Sequence, residues 1–154
     1  ISDYKAFYQN YESRFPSEAV LECEDILKYD PHNIDPLLFL AKYHCARKEV
    51  NSSLKYIGII LDVDPDHVDT LNLKLTILMY QKKYQQMIDI LKQLERLDFD
   101  RFELYHQFGI VYLALEQFEE SVSCFYSAYN NTENDLVQKK IKFIIRRIHA
   151  QIEV

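Results

Sequence analysis

The amino-acid sequence predicts an all-α solenoid of antiparallel helix pairs, and three observations carry that prediction. Punctuation repeats at a fixed interval: KYDPHNID at residues 28–35 recurs as DVDPDHVD at 62–69, with Pro31 and Pro65 34 residues apart. Between these marks apolar residues fall at three- and four-residue steps, the spacing of one helix face. Glycine is scarce, with two in 154 residues, which is too few for the turns of a β-sandwich or a doubly wound sheet.

Each element follows in order. Residues 1–33 read as a degenerate first pair: a Tyr-rich helix over Tyr4–Tyr11, then SEAVLECEDILKYD at 17–30, closed by Asp30-Pro31. Residues 34–67 hold one stripe (Leu37, Leu38, Leu40, Ala41, Cys45), a polar break RKEVNSS at 47–53, and a second stripe (Leu54, Ile57, Ile60, Leu61). Asp64-Pro65 ends that pair, because proline pushes the residue before it out of the α region and itself opens a helix well. Residues 68–101 repeat the plan with Leu71, Leu75, Leu78 and Met79, the break QKKYQQ, then Ile88, Leu91 and Leu94, closed by LDFD. Residues 102–135 repeat it again: Tyr105, Phe108, Gly109 and Tyr112, the break EQFEE, then Val122, Phe125 and Ala128, closed by NNTEN. A short amphipathic helix cannot bury its stripe alone, and stacking successive pairs gives one continuous core and a single domain.

The last segment, 136–154, is not another pair. Leu136, Val137, Ile141, Ile144, Ile145, Ile148 and Ile152 make an apolar face, with Lys139, Lys140, Lys142, Arg146 and Arg147 largely opposite. A single amphipathic, basic helix of this kind covers the open end of a solenoid, so a C-terminal capping helix is expected. The same five cations are a possible second surface, for an acidic partner or an anionic membrane.

Composition narrows the function. The net charge of −6 disfavours a nucleic-acid binder, which needs a basic face to neutralise phosphates. The charge is uneven: residues 1–135 carry −10 and residues 136–154 carry +4. Cys23, Cys45 and Cys124 sit in helical patterns with no CxxC spacing, so free buried thiols and a reducing compartment, the cytoplasm, are expected. No apolar run reaches the roughly 20 residues of a membrane span. The chain starts at Ile1 and reads as an excised or processed piece. His32, His44, His67, His106 and His149 are scattered without HExxH spacing, and no GxGxxG, GxxxxGK[ST] or GxSxG is present. Asp62, Asp64 and Asp66 lack the glycine and closing Glu of a calcium loop. No enzyme activity, metal or cofactor is expected.

The chain resembles the tetratricopeptide-repeat family over about residues 1–135. The match is best in 102–135, where Tyr105, Phe108, Gly109 and Tyr112 fall at the family's large–large–small–large positions, Phe118 at the turn, and Ser121, Phe125 and Ala128 in the second helix. Residues 34–67 match through Leu37, Leu40, Ala41, Ser53, Ile57 and Pro65, and residues 68–101 through Leu71, Tyr84 and Leu91. Leu75 and Met87 depart from the family's small residues, and Phe99 from its closing proline. Ala19 and Pro31 carry the leading unit. Gly109 is read as a place where two backbones approach closely.

The resemblance implies a right-handed solenoid whose first helices line a concave groove. Carried onto this chain, the groove positions are Asp35, Leu38, Phe39 and Lys42, then Asp69, Asn72, Leu73, Thr76 and Tyr80, then Glu103, His106, Gln107 and Ile110. Asp35, Asp69 and Glu103 recur at the period, so an acid row beside an apolar floor is expected. Such a groove implies a non-enzymatic adaptor that takes a peptide or helix of another protein, with apolar anchors and Lys or Arg facing the acids. The acidic C-termini of heat-shock chaperones are not expected there. The positions of the family's basic clamp hold Tyr4, Tyr8, Phe39, Asp69 and Leu73, or, one unit later, Leu38, Lys42, Leu73, Glu103 and Gln107. A bacterial secretion-type chaperone is the alternative and an RNA-processing helical-repeat protein a remote one.

Overall fold

The computed structural model describes residues 16–153, so the expected Tyr4–Tyr11 helix lies outside them. Among the described residues eight helices follow in order: α1 (Pro16–Tyr29), α2 (Ile34–Ala46), α3 (Val50–Val63), α4 (Val68–Tyr80), α5 (Tyr84–Arg96), α6 (Arg101–Ala114), α7 (Phe118–Asn130) and α8 (Asp135–Ile152). None of them is long and apolar enough to cross a membrane. The chain divides into two compact units between Ile77 and Leu78, within α4.

In the first unit, Ala19 and Cys23 lie one turn apart on α1, fully buried against Phe39 and Leu40 of α2. Glu18 and Lys28 stand at the α1 ends that the helix dipole favours for their charges. Pro36 occupies the first turn of α2, where a missing N–H breaks no helical bond. The opposite side of α2 supplies Ala41 to a second cluster with Ile57 of α3 and Ile77 of α4.

The Asp-Pro marks are turns and do not open helices, which corrects the expectation from sequence. The Asn33 N–H donates to the Asp30 carbonyl at 3.3 Å, and that of His67 to the Asp64 carbonyl at 3.2 Å. Each proline therefore stands second in a four-residue turn, where its fixed φ is already correct. The Asp64 carboxylate accepts the Asp66 N–H at 3.2 Å and tightens the second turn. The helices themselves start at Ile34 and Val68.

A second periodic device lies inside the pairs. Lys48, Lys82 and Glu116, spaced by the period, have φ of 59°, 57° and 59°. Each ends a helix in the left-handed region usually given to glycine. The N–H of Lys48 donates to the Cys45 carbonyl at 3.0 Å and that of Glu49 to the His44 carbonyl at 2.9 Å, which satisfies two carbonyls the helix end would leave open. Lys82 with Lys83, and Glu116 with Gln117, repeat both bonds. Asp98, at φ 56°, closes α5 the same way, so a left-handed residue does there what a closing proline does elsewhere.

The second unit is built on α5 to α8 and the end of α4. Asp100 caps α6 by accepting the Glu103 N–H at 2.9 Å, and Asn134 caps α8 by accepting those of Leu136 and Val137. Phe125 and Ala128 of α7 pack with Ile141, Ile145 and Ile148 of α8. Leu136 and Ile152, assigned to the same apolar face, instead stand 63% and 47% exposed.

Gly109 also differs from expectation. A Cβ there would lie 2.9 Å from the tip of the Phe125 ring, so the absent side chain admits an aromatic ring, not a second backbone. The helices are tied alongside by Ser121, whose hydroxyl donates to the Gly109 carbonyl at 2.7 Å.

Candidate functional site

The groove positions fall in both units. In the first unit α2 presents Asp35 and Lys42 to solvent, with Leu38 half-buried between them. Asp35 sits in the first turn of α2 and Asp69 in that of α4, the end at which a helix dipole favours a carboxylate. On α4, Asp69 and Thr76 are exposed and Asn72 and Leu73 half-buried. The Thr76 hydroxyl donates back to the Asn72 carbonyl at 3.4 Å. Leu73 packs on the cluster of Ala41, Ile57 and Ile77, so the α2 and α4 positions adjoin through that shared core.

Phe39 does not belong with them. It is 8% exposed and packs in the cluster of Ala19, Cys23 and Leu40. Its ring packs against the preceding helix, which leaves little of it open to a ligand. Among the described residues no disulfide joins Cys23, Cys45 and Cys124.

In the second unit Tyr80 is exposed, while Glu103, His106, Gln107 and Ile110 are all half-buried. The Gln107 amide donates to the Glu103 carboxylate at 2.8 Å, one turn apart on α6. The His106 ring stacks on Phe102 at 5.7 Å and meets Phe125 edge-on at 5.8 Å. Ile110 packs on the cluster shared by α7 and α8. These two side chains are committed largely to the fold, which leaves Glu103 and Gln107 as the polar pair of α6.

Two histidines outside these positions pack within the fold. His67 Nδ1 lies 2.8 Å from the hydroxyl of the buried Thr70, and His44 stacks on Tyr56 at 5.7 Å. Burial, with the Glu95 and Glu120 charges adding, pushes the Cys124 thiol up to about 11, so it stays protonated and unreactive at neutral pH. Among the described residues no three His, Cys, Asp or Glu side chains gather as a metal site. What the exposed positions offer is acceptor charge beside small apolar areas.

One feature escaped the sequence reading. Phe143, flanked there by basic residues, is 63% exposed and lines a cleft of about 670 Å³ with Leu113, Phe118, Ile144 and Arg147.

No protein-family profile matches the chain. The TPR repeat-containing protein YpiA of Bacillus subtilis (strain 168) is 24% identical over 133 residues, 86% of this chain and 31% of that protein. The chain thus spans about a third of that relative's length. Among solved structures, MamA D159K mutant 1 superposes with a TM-score of 0.71 at 18% identity, over 99% of this chain and 91% of that one. These likenesses carry the tetratricopeptide-repeat resemblance, and the fold is an all-α helical-repeat fold of that type.

Proposed function

We propose that this chain is a non-enzymatic protein-interaction module that binds a peptide or helix of another protein on the outward sides of α2 and α4. The observation that carries this reading is that Asp35 and Asp69, one period apart, hold the same place in their helices. Both are exposed, both open a helix, and they stand on helices joined by one core with Leu38 and Leu73 half-covered beside them. A ligand with an aliphatic or aromatic anchor and a nearby Lys or Arg suits those groups: the anchor covers apolar area and the cation meets the carboxylates. Glu103 with Gln107 offers the same chemistry one period further along. The likeness to repeat proteins, whose architecture stacks helices into extended binding surfaces, supports the reading. Three cysteines outside any disulfide among the described residues suit a reducing compartment, and we place the module in the cytoplasm.

A displayed random-peptide library selected against the intact chain tests this. Enriched peptides are expected to combine apolar residues with Lys or Arg, to lose affinity as salt rises, and to be released by Asp35→Lys/Asp69→Lys. Selection of the same peptides by that charge-reversed variant would overturn the assignment. Phe39 is unsuitable as a probe, because replacing a buried ring disturbs the fold before it disturbs a ligand.

A further inference from the structure

We propose a second docking site in the second unit, the cleft where α8 meets the end of α6 and the start of α7. Its ligand is an acidic segment of another protein that carries one large apolar side chain. Two independent features point to it, one apolar and one electrostatic.

The apolar feature is the cleft itself. Leu113 of α6, Phe118 of α7 and Phe143, Ile144 and Ile148 of α8 line a volume of about 670 Å³, within the range of roughly 300–1,000 Å³ usual for ligand pockets. The buried stripe of α8 is already used: Ile141, Ile145 and Ile148 pack on Phe125 and Ala128. Phe143 lies off that stripe and is 63% exposed. A phenyl ring left that open beside a cleft presents apolar area that the fold covers only in part.

The electrostatic feature is the adjoining side of α8. Lys139, Lys140, Lys142, Arg146 and Arg147 are all exposed. The ion pairs formed among the described residues, Lys28 with Asp25, His44 with Glu49 and Arg47 with Glu49, involve none of them. Lys142 lies 5.2 Å above the Tyr129 ring and Arg147 6.0 Å above the Phe143 ring, contacts that orient a cation while leaving N–H groups free to donate. Lys139 with Lys142, and Lys142 with Arg146, are like-charge pairs at helical spacing, an unfavourable arrangement. The helix dipole gives no reason for them, since Lys139 and Lys140 lie in the N-terminal half of α8, away from the end that favours cations. An anionic ligand removes that repulsion.

Arg147 joins the two features, because it lines the cleft and also belongs to the cationic row. Glu116 lines the opposite wall and sets the direction. A ligand carboxylate is repelled there and drawn along α8, while the apolar side chain enters between Leu113, Phe118 and Phe143. This site is distinct from the acidic positions of α2 and α4 and prefers ligands of opposite charge.

Fluorescence anisotropy on the intact chain decides the matter. The probe is a short synthetic peptide of glutamates around one central phenylalanine, with a lysine-for-glutamate and an alanine-for-phenylalanine peptide as controls. The expected result is binding of the first peptide alone at low ionic strength, weakened about tenfold or more by Arg146→Glu/Arg147→Glu. Phe143→Ser should weaken it as well, and Asp35→Lys/Asp69→Lys should leave it unchanged, so the two sites succeed or fail separately. The exposed positions of Phe143, Arg146 and Arg147 keep these variants folded, which helical circular dichroism verifies. Equal binding of both charged peptides, or affinity indifferent to the α8 variants, overturns the proposal. So does retention by phosphatidylserine vesicles with no peptide binding, or self-association lost with the same variants. Those results would assign the face to a membrane or to a second copy.

Discussion

In α2 and α3, Ala41 shares a core cluster with Ile57. Two periods later, in α6 and α7, Gly109 stands in the place of Ala41 and Phe125 in that of Ile57, with the ring tip 2.9 Å from where a Cβ would be. The tie beside them does not change. Ser53 donates to the Ala41 carbonyl and Ser121 to the Gly109 carbonyl, both at 2.7 Å, and both serines are fully buried. One pair divides its interior volume as methyl plus branched aliphatic, the other as no side chain plus phenyl. The sum is nearly conserved while the parts trade, as close-packed interiors require. One period on from Ala41 and Ser53, the same places hold Leu75 and Met87, also buried, and Met87 has no hydroxyl to offer.

The largest test of this comparison removes the big partner. Phe125→Ala should cost about 3–5 kcal/mol and Ile57→Ala about 2–5 kcal/mol. Phe125 also carries α8 through Ile141, Ile145 and Ile148, so its loss should strip helical signal from α8 as well. Urea unfolding followed by circular dichroism measures both. Equal losses with α8 intact would mean that the two pairs are not differently loaded.

The next test adds the missing methyl. Gly109→Ala should cost about 1–3 kcal/mol by overpacking against a buried ring. Combining it with Phe125→Ile rebuilds the Ala–Ile arrangement of the first pair and should recover most of that loss. If Gly109→Ala is harmless by itself, the trade of volumes is not what fixes these residues. Breaking the common tie comes third: Ser53→Ala and Ser121→Ala should each cost about 0.5–1.5 kcal/mol. The two values should agree, since the bonds have the same length.

The period, the helix order and the positions of Ser53, Ser121, Phe125 and Ala128 were legible because each rests on spacing along one helix face. The polar breaks were drawn too long. As a gap in the apolar pattern RKEVNSS runs through Ser53, yet α3 begins at Val50. QKKYQQ and EQFEE likewise overrun the starts of α5 and α7 at Tyr84 and Phe118. First turns of these second helices face water and look like loop. Phe39 departs from expectation for a related reason. Periodicity says that a residue is apolar on a helix, but not whether the next layer or a ligand covers it. Phe143 was hidden by its charged neighbours, which gave its side of α8 the look of a purely solvated face.

Two smaller effects sharpen the comparison. Burial raises the Tyr112 hydroxyl, with nearby negative charge from Cys124, Glu120 and Glu95 adding, and raises the Cys124 thiol from 9.0 to about 11. Both groups sit in the second unit. Raised folded pKa values mean that their contribution is intact below the unfolded values and lost as pH climbs through the folded ones. Stability should therefore be flat through neutrality and fall from about pH 9 upward. Cys124→Ala should flatten the part of that fall between pH 9 and 11, which equilibrium unfolding across that range measures. An unchanged alkaline profile in the variant would exclude the thiol as its source.

The smallest effect lies where the two pairs agree. Lys48 and Glu116 hold the same left-handed conformation, φ 59° in both, and each bears a Cβ that this region disfavours. Glycine fits there without strain but adds freedom to the unfolded chain, so the gain is partly offset. Lys48→Gly and Glu116→Gly should each stabilise by about 0.5–1 kcal/mol, visible as a small rise in the urea midpoint. Their charges are opposite, so a difference between the two variants at low salt that vanishes at high salt would isolate the electrostatic part. What remains should be equal, because backbone geometry is the one thing those two helix ends share in full. Unequal remainders would show that the turns differ in packing despite the matching φ, and would confine the repeat's regularity to its helices.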